Sequence, residues 1–309
     1  MKFLDLFSGI GGFRLGMEMA GHECVGYVEI DKFARRSYEA IFVTSDEWTR
    51  TDIREVTDDE WRALQGTVDV ICGGFPCQPF SIAGEQRGFS DDRGTMFFEI
   101  ARATCQIQPK VLFLENVKHL LNHDNGKTFE VIIETLDELG YDAEWQVCNS
   151  ANYGVPQNRE RLFLVGHLRG SCGSKIFPLT NYGKDIDAGR ACAATLIARY
   201  PGGQREGTYI VEERKQVNQA IVQRARGKNN GGIHYIAPTL TSNSYERNNY
   251  IVSGVKMRTL TPRECWRLQG FPDWAFDRAC QVNSDTQLYK QAGNSVTVPV
   301  IYEIAKRLI

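Results

Sequence analysis

Apolar positions along the first half of the chain fall into two alternating rhythms. Short runs rich in β-branched and aromatic residues, "KFLDLF", "CVGYVEI", "VDVICGG" and "VLFLENV", read as strands. Between them, apolar residues recur at helical spacing over Phe13 to Ala20, Asp31 to about Ile41, Thr95 to Ile107 and Thr128 to Leu139. The last of these shows the pattern plainly, with Phe129, Ile132, Ile133, Leu136 and Leu139 on one face. "AEWQVCNS" and "RLFLVGHL" read as a further pair of strands. Strand–helix alternation at this rhythm predicts an α/β fold, a mostly parallel sheet with helices on both faces. Such sheets bind ligands beyond the carboxyl ends of their strands. From about Thr180 the pattern weakens into turn-rich stretches ("PGGQREG", "RGKNNGG", "TSNSYERNN") and short strands, which predicts a smaller, irregular module. Regularity returns in "VPVIYEIAKRLI", a helix with proline in its first turn.

Composition narrows the class. With 309 residues, 42% of them hydrophobic, the chain can bury a sizeable core as one large domain or two. No apolar run approaches a membrane span, and the start lacks a signal-peptide core, so a cytosolic protein is expected. Nine cysteines at irregular spacings, with no CxxC pair, argue against a disulfide framework or a structural zinc; no metal is expected. The net charge of −2 hides an asymmetry. Between Gly202 and Arg258 stand nine Lys or Arg against four Glu, a local +5 on a body carrying −7. A basic segment on an acidic body is either a nucleic-acid footprint or a solvated loop.

Candidate chemistry sits where the predicted strands end. In "VDVICGGFPCQPFS" a core strand stops at Gly73 and Gly74, and Pro76 and Pro79 stiffen the backbone around Cys77. That places a thiol at a rigid turn, as a nucleophile or as a small packed hydrophobe. "DLFSGIGGFRLG" joins the first strand to the first helix by a glycine turn, G-x-G-G rather than the dinucleotide G-x-G-x-x-G. Glu29 ends the second strand, where an acid suits a ribose diol, and the pair favours an adenosine-containing ligand. Glu115 ends an otherwise apolar strand, either as a helix-capping acid or as a carboxyl with a raised pKa able to donate a proton. Arg159 and Arg161, two apart in "PQNRERLFLVG", share one face of a strand if it begins there.

Taken in order, "DLFSGIGGFRLG", "GGFPCQPFS", "LENV", "QNRERLFLVG", "RTLTPRECWRLQGFPD" and "QAGNSVTVPV" resemble the DNA cytosine-5 methyltransferases of the bacterial and phage restriction-modification type. The resemblance covers nearly the whole chain apart from roughly Thr180 to Lys256. It implies the Rossmann-like fold of the S-adenosylmethionine-dependent methyltransferases, with a target-recognition domain. By the same resemblance Cys77 is the nucleophile that adds to carbon 6 of cytosine, and Glu115 engages ring nitrogen 3 and the exocyclic amine. Arg161 holds the base and orients Glu115, with Arg159 close by. Phe7, Gly9 and Gly11 line the methionine side of the cofactor, Glu29 takes the ribose hydroxyls, and Ile30 packs on the adenine. Asp52 and Ile53 hold the adenine amine and ring, and Asn294 and Ser295 return to the pocket.

The resemblance also makes "SIAGEQRGFSDDRG" a loop that closes on the DNA, with Arg87 and Arg93 meeting phosphates. Thr239 and Leu240 match a dipeptide of the recognition region, and Asn243, Arg247 and Asn248 are residue types that read base edges. The expected division is a catalytic and cofactor domain over 1–180 plus 285–309, and a target-recognition domain with hinge over 181–284. Expected partners are S-adenosylmethionine, double-stranded DNA and a restriction endonuclease acting on the same site; a monomer is the family's usual state. Two other readings stay open at this point. A tRNA cytosine-5 methyltransferase shares the scaffold, and an adenosine-cofactor oxidoreductase would leave Pro76-Cys77-Gln78 unexplained.

Overall fold

The computed structural model describes residues 1–76, 96–171, 175–179 and 260–308, together with the backbone of short strands between 193 and 258. Its elements follow the chain as β1 (Lys2–Leu6), α1 (Gly12–Met19), β2 (Glu23–Val28), α2 (Lys32–Ile41), β3 (Trp48–Arg50), α3 (Asp58–Arg62), β4 (Val70–Gly74), α4 (Met96–Ile107), β5 (Val111–Val117), α5 (Lys127–Glu138), β6 (Tyr141–Asn149), β7 (Gln157–Asn158) and β8 (Glu160–Leu168). Strands β9 (Ala193–Ala194), β10 (Ala220–Gln223), β11 (Gly232–His234), β12 (Asn249–Ser253) and β13 (Lys256–Arg258) lead to helices α6 (Pro262–Leu268), α7 (Asp273–Ala279), α8 (Asp285–Asn294) and α9 (Val298–Ala305).

Seven strands form one sheet in the order β3-β2-β1-β4-β5-β8-β6. Neighbours from β3 to β5 pair in parallel, while β8 runs antiparallel to both β5 and β6. The sheet is therefore mostly parallel, as the strand–helix rhythm predicts. Alternation along β5 shows why the strands read as continuous apolar runs. Val111 and Phe113 join a core with α1 and α9, whereas Leu112 and Leu114 join the core beneath α3, α4 and α5. A third cluster binds α2 to α6, α7 and α8 around Tyr38, Trp266 and Phe276. Residues 262–284 thus pack with the residues of the first strand–helix units. The described part of the 181–259 segment forms a separate antiparallel sheet in the order β11-β10-β12-β13, and β9 pairs with β7. No helix among the described residues is long and apolar enough to cross a membrane.

Local chemistry fixes the helix starts. Asp31 caps α2 by accepting from the Phe33 and Ala34 N–H groups. Thr57 with Glu60 and Thr261 with Glu264 close reciprocal capping boxes at α3 and α6, the second with Pro262 in the first turn.

Candidate active site

Two acids and a glycine turn meet at the carboxyl rim of the sheet. After β1 the chain turns sharply, with Phe7, Gly9 and Gly11 all at positive φ (55°, 56° and 82°). A Cβ on Gly11 would lie 2.2 Å from the Phe42 ring, so backbone angle and space both demand glycine there. The Gly9 N–H donates to Glu29 Oε2 at 2.7 Å, and the Asp31 N–H donates to Glu29 Oε1 at 2.6 Å. Burial pushes the Glu29 carboxyl above its ordinary range, and these two N–H groups oppose the rise. Ile30, beside it, is 58% exposed, an apolar side chain presented at the rim. Asp52 caps the turn after β3 and is held low by Arg54, while Ile53 is buried in the core below. Asn294 is exposed at the end of α8, and the Ser295 side chain is buried against the start of α1. A Cβ on Gly12 would come within 2.7 Å of Ser295 Oγ.

The second half of the rim belongs to β4, β5 and β8. Gly73 stands opposite Leu6 and Gly74 opposite Glu115. A Cβ on Gly73 would lie 2.2 Å from the Leu6 carbonyl oxygen, and one on Gly74 would lie 3.0 Å from Glu115 Oε2. Gly73→Ala should therefore cost about 1–3 kcal/mol by forcing β1 and β4 apart. Calorimetry reads this as a lowered Tm; an unchanged Tm would mean the strands separate freely. Beyond the glycines, the Phe75 carbonyl accepts from the buried Asn116 amide at 3.0 Å. This bond fixes the chain one residue before Pro76. Cys77 lies outside the described residues, as do Arg87, Arg93, Thr239, Leu240, Asn243, Arg247 and Asn248.

Glu115 and Arg161 are diagonal neighbours on one face of the β5–β8 pair, since Glu115 stands opposite Phe163 and Arg161 opposite Val117. Arg161 Nε lies 3.0 Å from Glu115 Oε1, with both side chains largely buried. Burial raises the Glu115 pKa, and the Arg161 and Arg159 cations pull it back without cancelling the rise. Arg159 is itself buried, and its Nη2 donates to the Gly293 and Ser295 carbonyls at 3.3 and 2.8 Å.

Residues 1–309 match the sequence family described as C-5 cytosine-specific DNA methylase. The chain belongs to that family. It is 36% identical to the type II methyltransferase M.HhaI of Haemophilus parahaemolyticus, over 99% of this chain and 93% of that protein. It is 38% identical to M.NlaX of Neisseria lactamica, over 99% of this chain and 96% of the relative. In fold it resembles the S. pombe Dnmt2 methyltransferase, with a TM-score of 0.65 at 17% identity over 98% and 96% of the two chains. The DNA cytosine-5 methyltransferase reading of the motifs is thereby established for the chain.

Several residues of the methyltransferase's rim carry no obvious mark in the sequence. Arg102 on α4 donates to the Ile53 and Val56 carbonyls at 3.1 and 2.8 Å, tying down the turn that holds Asp52. Lys290 on α8 meets Asp31 at 2.6 Å, next to the peptide that grips Glu29. Gln157 donates to the Leu268 carbonyl at 2.7 Å. Only Gln157 and Asn116 stood within a recognisable motif.

Proposed function

We propose that this DNA cytosine-5 methyltransferase works through a covalent Cys77 adduct on a flipped-out cytosine, beside an S-adenosylmethionine pocket at the β1–β2 rim. The observation that carries the reading is the buried Glu115–Arg161 pair lying against Gly74, three residues before Cys77. Carbon 5 of cytosine is a poor nucleophile until something adds at carbon 6. The Cys77 thiolate forms the bond to carbon 6 while Glu115 gives its proton to nitrogen 3, so no full negative charge builds on the ring. Arg161 fixes the Glu115 carboxyl and faces the same pocket. Carbon 5 would then take the methyl group as its bond to the donor's sulfur breaks, and nitrogen 3 would return its proton to Glu115. A base then removes the carbon-5 proton, and the electron pair of that C–H bond forms the 5,6 double bond and expels the thiolate from carbon 6.

The residues at the β1–β2 rim fit the methyl donor. The tight turn at Gly9 and Gly11 admits close backbone approach, Glu29 offers a carboxylate to a diol, and the exposed Ile30 offers an apolar surface to a purine. Phe7, Asp52, Ile53, Asn294 and Ser295 complete the proposed pocket. When bound, S-adenosylmethionine supplies an electrophilic methyl group on a sulfonium. A base in a duplex cannot reach this rim without flipping, which costs a few kcal/mol of unstacking. In the proposed division, residues 181–284 read the target and provide the hinge, with Thr239, Leu240, Asn243 and Arg247 in the recognition loop and Arg87 and Arg93 on phosphates. The protein acts as a monomer in the cytoplasm of a bacterial or phage-infected cell, and its type II relatives support a cognate restriction endonuclease.

The test incubates purified protein with S-adenosylmethionine and, in parallel, unmethylated duplex DNA or unmodified tRNA. Digests are scored by mass spectrometry for 5-methylcytosine, and the modified DNA is sequenced. Methylation at one short duplex motif is expected. Signal confined to tRNA would overturn the substrate, and scattered DNA signal would overturn the recognition role of 181–284.

A further inference from the structure

Two largely buried arginines flank the first residue of β8, and they face different partners. Arg161 meets Glu115, whereas Arg159 reaches across to the turn after α8 and donates to the Gly293 and Ser295 carbonyls. Its own backbone is fixed on both sides, by the Asn149 side chain accepting from its N–H and by its carbonyl accepting from the Ser150 N–H. The turn it holds is gripped by further polar groups. Gln269 donates to the Ala292 carbonyl, Thr297 donates to Gln269, and Ser150 and Thr297 share a hydrogen bond at 2.8 Å. On the far side, Ser295 packs against Gly12, the first residue of α1 after the glycine turn. The other face of α8 is joined to α2, behind Glu29, by Lys290 on the capping Asp31 and by Gln291, which accepts from Ser37 within that helix.

We propose that Arg159 is a positioning residue, whose guanidinium holds the Gly293–Ser295 turn against the glycine turn and so sets the affinity for the methyl donor rather than the rate of the chemical step. The assignment rests on reading the β1–β2 rim as the S-adenosylmethionine pocket. Both bonds leave the one nitrogen Nη2, which sits at the far end of a rigid planar guanidinium. A lysine ammonium has donors enough for two carbonyls but lies on a shorter, flexible stem that does not hold a nitrogen at that place. The carbonyls need that donor, because buried acceptors left without one are costly.

The decisive variant is Arg159→Lys, which keeps the charge and most of the volume. Calorimetric titration with S-adenosylmethionine should show its Kd raised about tenfold or more, the usual worth of a hydrogen bond to a charged group. The KM for S-adenosylmethionine should rise in step, while kcat at saturating donor stays within about twofold of wild type. Unchanged affinity with a fallen kcat would overturn the inference and return Arg159 to the target base. Should the variant lack a native thermal transition, hydrogen exchange on the wild type decides. The proposal requires slow exchange across 293–297 before any ligand is added, and rapid exchange there would overturn it. Wild-type protein that fails to bind S-adenosylmethionine would sink the pocket reading itself, an outcome separate from normal binding by both proteins.

Discussion

Glu115→Gln should lower kcat by about 10²–10³-fold, the usual worth of a general acid, while leaving S-adenosylmethionine affinity near wild type. Glutamine keeps the shape of the side chain and an oxygen that can accept from Arg161, but it has no proton to give. The pH profile separates this loss from mere misplacement. Burial lifts the Glu115 pKa above its ordinary 4.5, and Arg161 and Arg159 only moderate the lift. The protonated carboxyl is the competent form, so wild-type kcat should fall as pH rises through that elevated value, and the glutamine variant should lack this limb. Stability follows the same sign: the contribution from protonating Glu115 is present below the ordinary carboxylate pKa and lost as pH rises through the folded one. At neutral pH a second effect dominates. Removing the carboxylate leaves the buried Arg161 guanidinium without its partner, and breaking a buried pair costs about 3–5 kcal/mol. The glutamine variant should therefore melt lower while remaining folded at assay temperature. A kcat within about threefold of wild type would remove Glu115 from the acid role.

Periodicity exposed the centre of the sheet because β1, β4 and β5 are buried on both faces, so each reads as a nearly unbroken apolar run whatever its neighbours. It could not show the pairing order, nor that β8 alone reverses, since both depend on which strands meet in space. The short strand Trp48–Arg50 escaped because three partly exposed residues carry no period. Helix α6 had a legible signature in Thr261-Pro262-Arg263-Glu264, a capping box with proline, yet its packing against Tyr38 and Phe276 is a long-range fact. The site divides in the same way. Glu29, Glu115 and Arg161 announced themselves as charges at the ends of apolar strands. Arg102 and Lys290 did not, because a surface arginine or lysine on a helix is the commonest residue such a helix has. Arg159 was visible as a charge, but its direction was not: alternate residues on an ideal strand share a face, and Arg159 lies just before the strand begins at Glu160.

Cys77→Ser should abolish methyl transfer, with a loss on the order of 10⁴-fold or more, as when a covalent nucleophile is removed elsewhere. A thiol near neutral pH is a few per cent thiolate and strongly nucleophilic, while a serine hydroxyl offers neither property. Among the described residues no other thiol is placed to take over; Cys172 and Cys192 lie outside them. Cys72 is fully buried within β4 and burial drives its pKa far up; Cys24 is pushed up to about 12 and Cys148 to about 11 by the same cause. Cys265 is likewise buried and raised, and the exposed Cys105 and Cys280 belong to α4 and the end of α7 rather than the β4 rim. Donor binding should survive, since the glycine turn, Glu29 and Ile30 are built from β1 and β2. A duplex carrying 5-fluorocytosine at the target makes the assay direct, because fluorine blocks the final proton removal and leaves the adduct in place. Wild-type protein should then run with covalently attached DNA, and the serine variant should not. Turnover by the variant within about tenfold of wild type would remove Cys77 from the chemistry. The Gly73–Gly74 approach and the Asn116 bond to the Phe75 carbonyl would then have to serve some other side chain beyond Pro76.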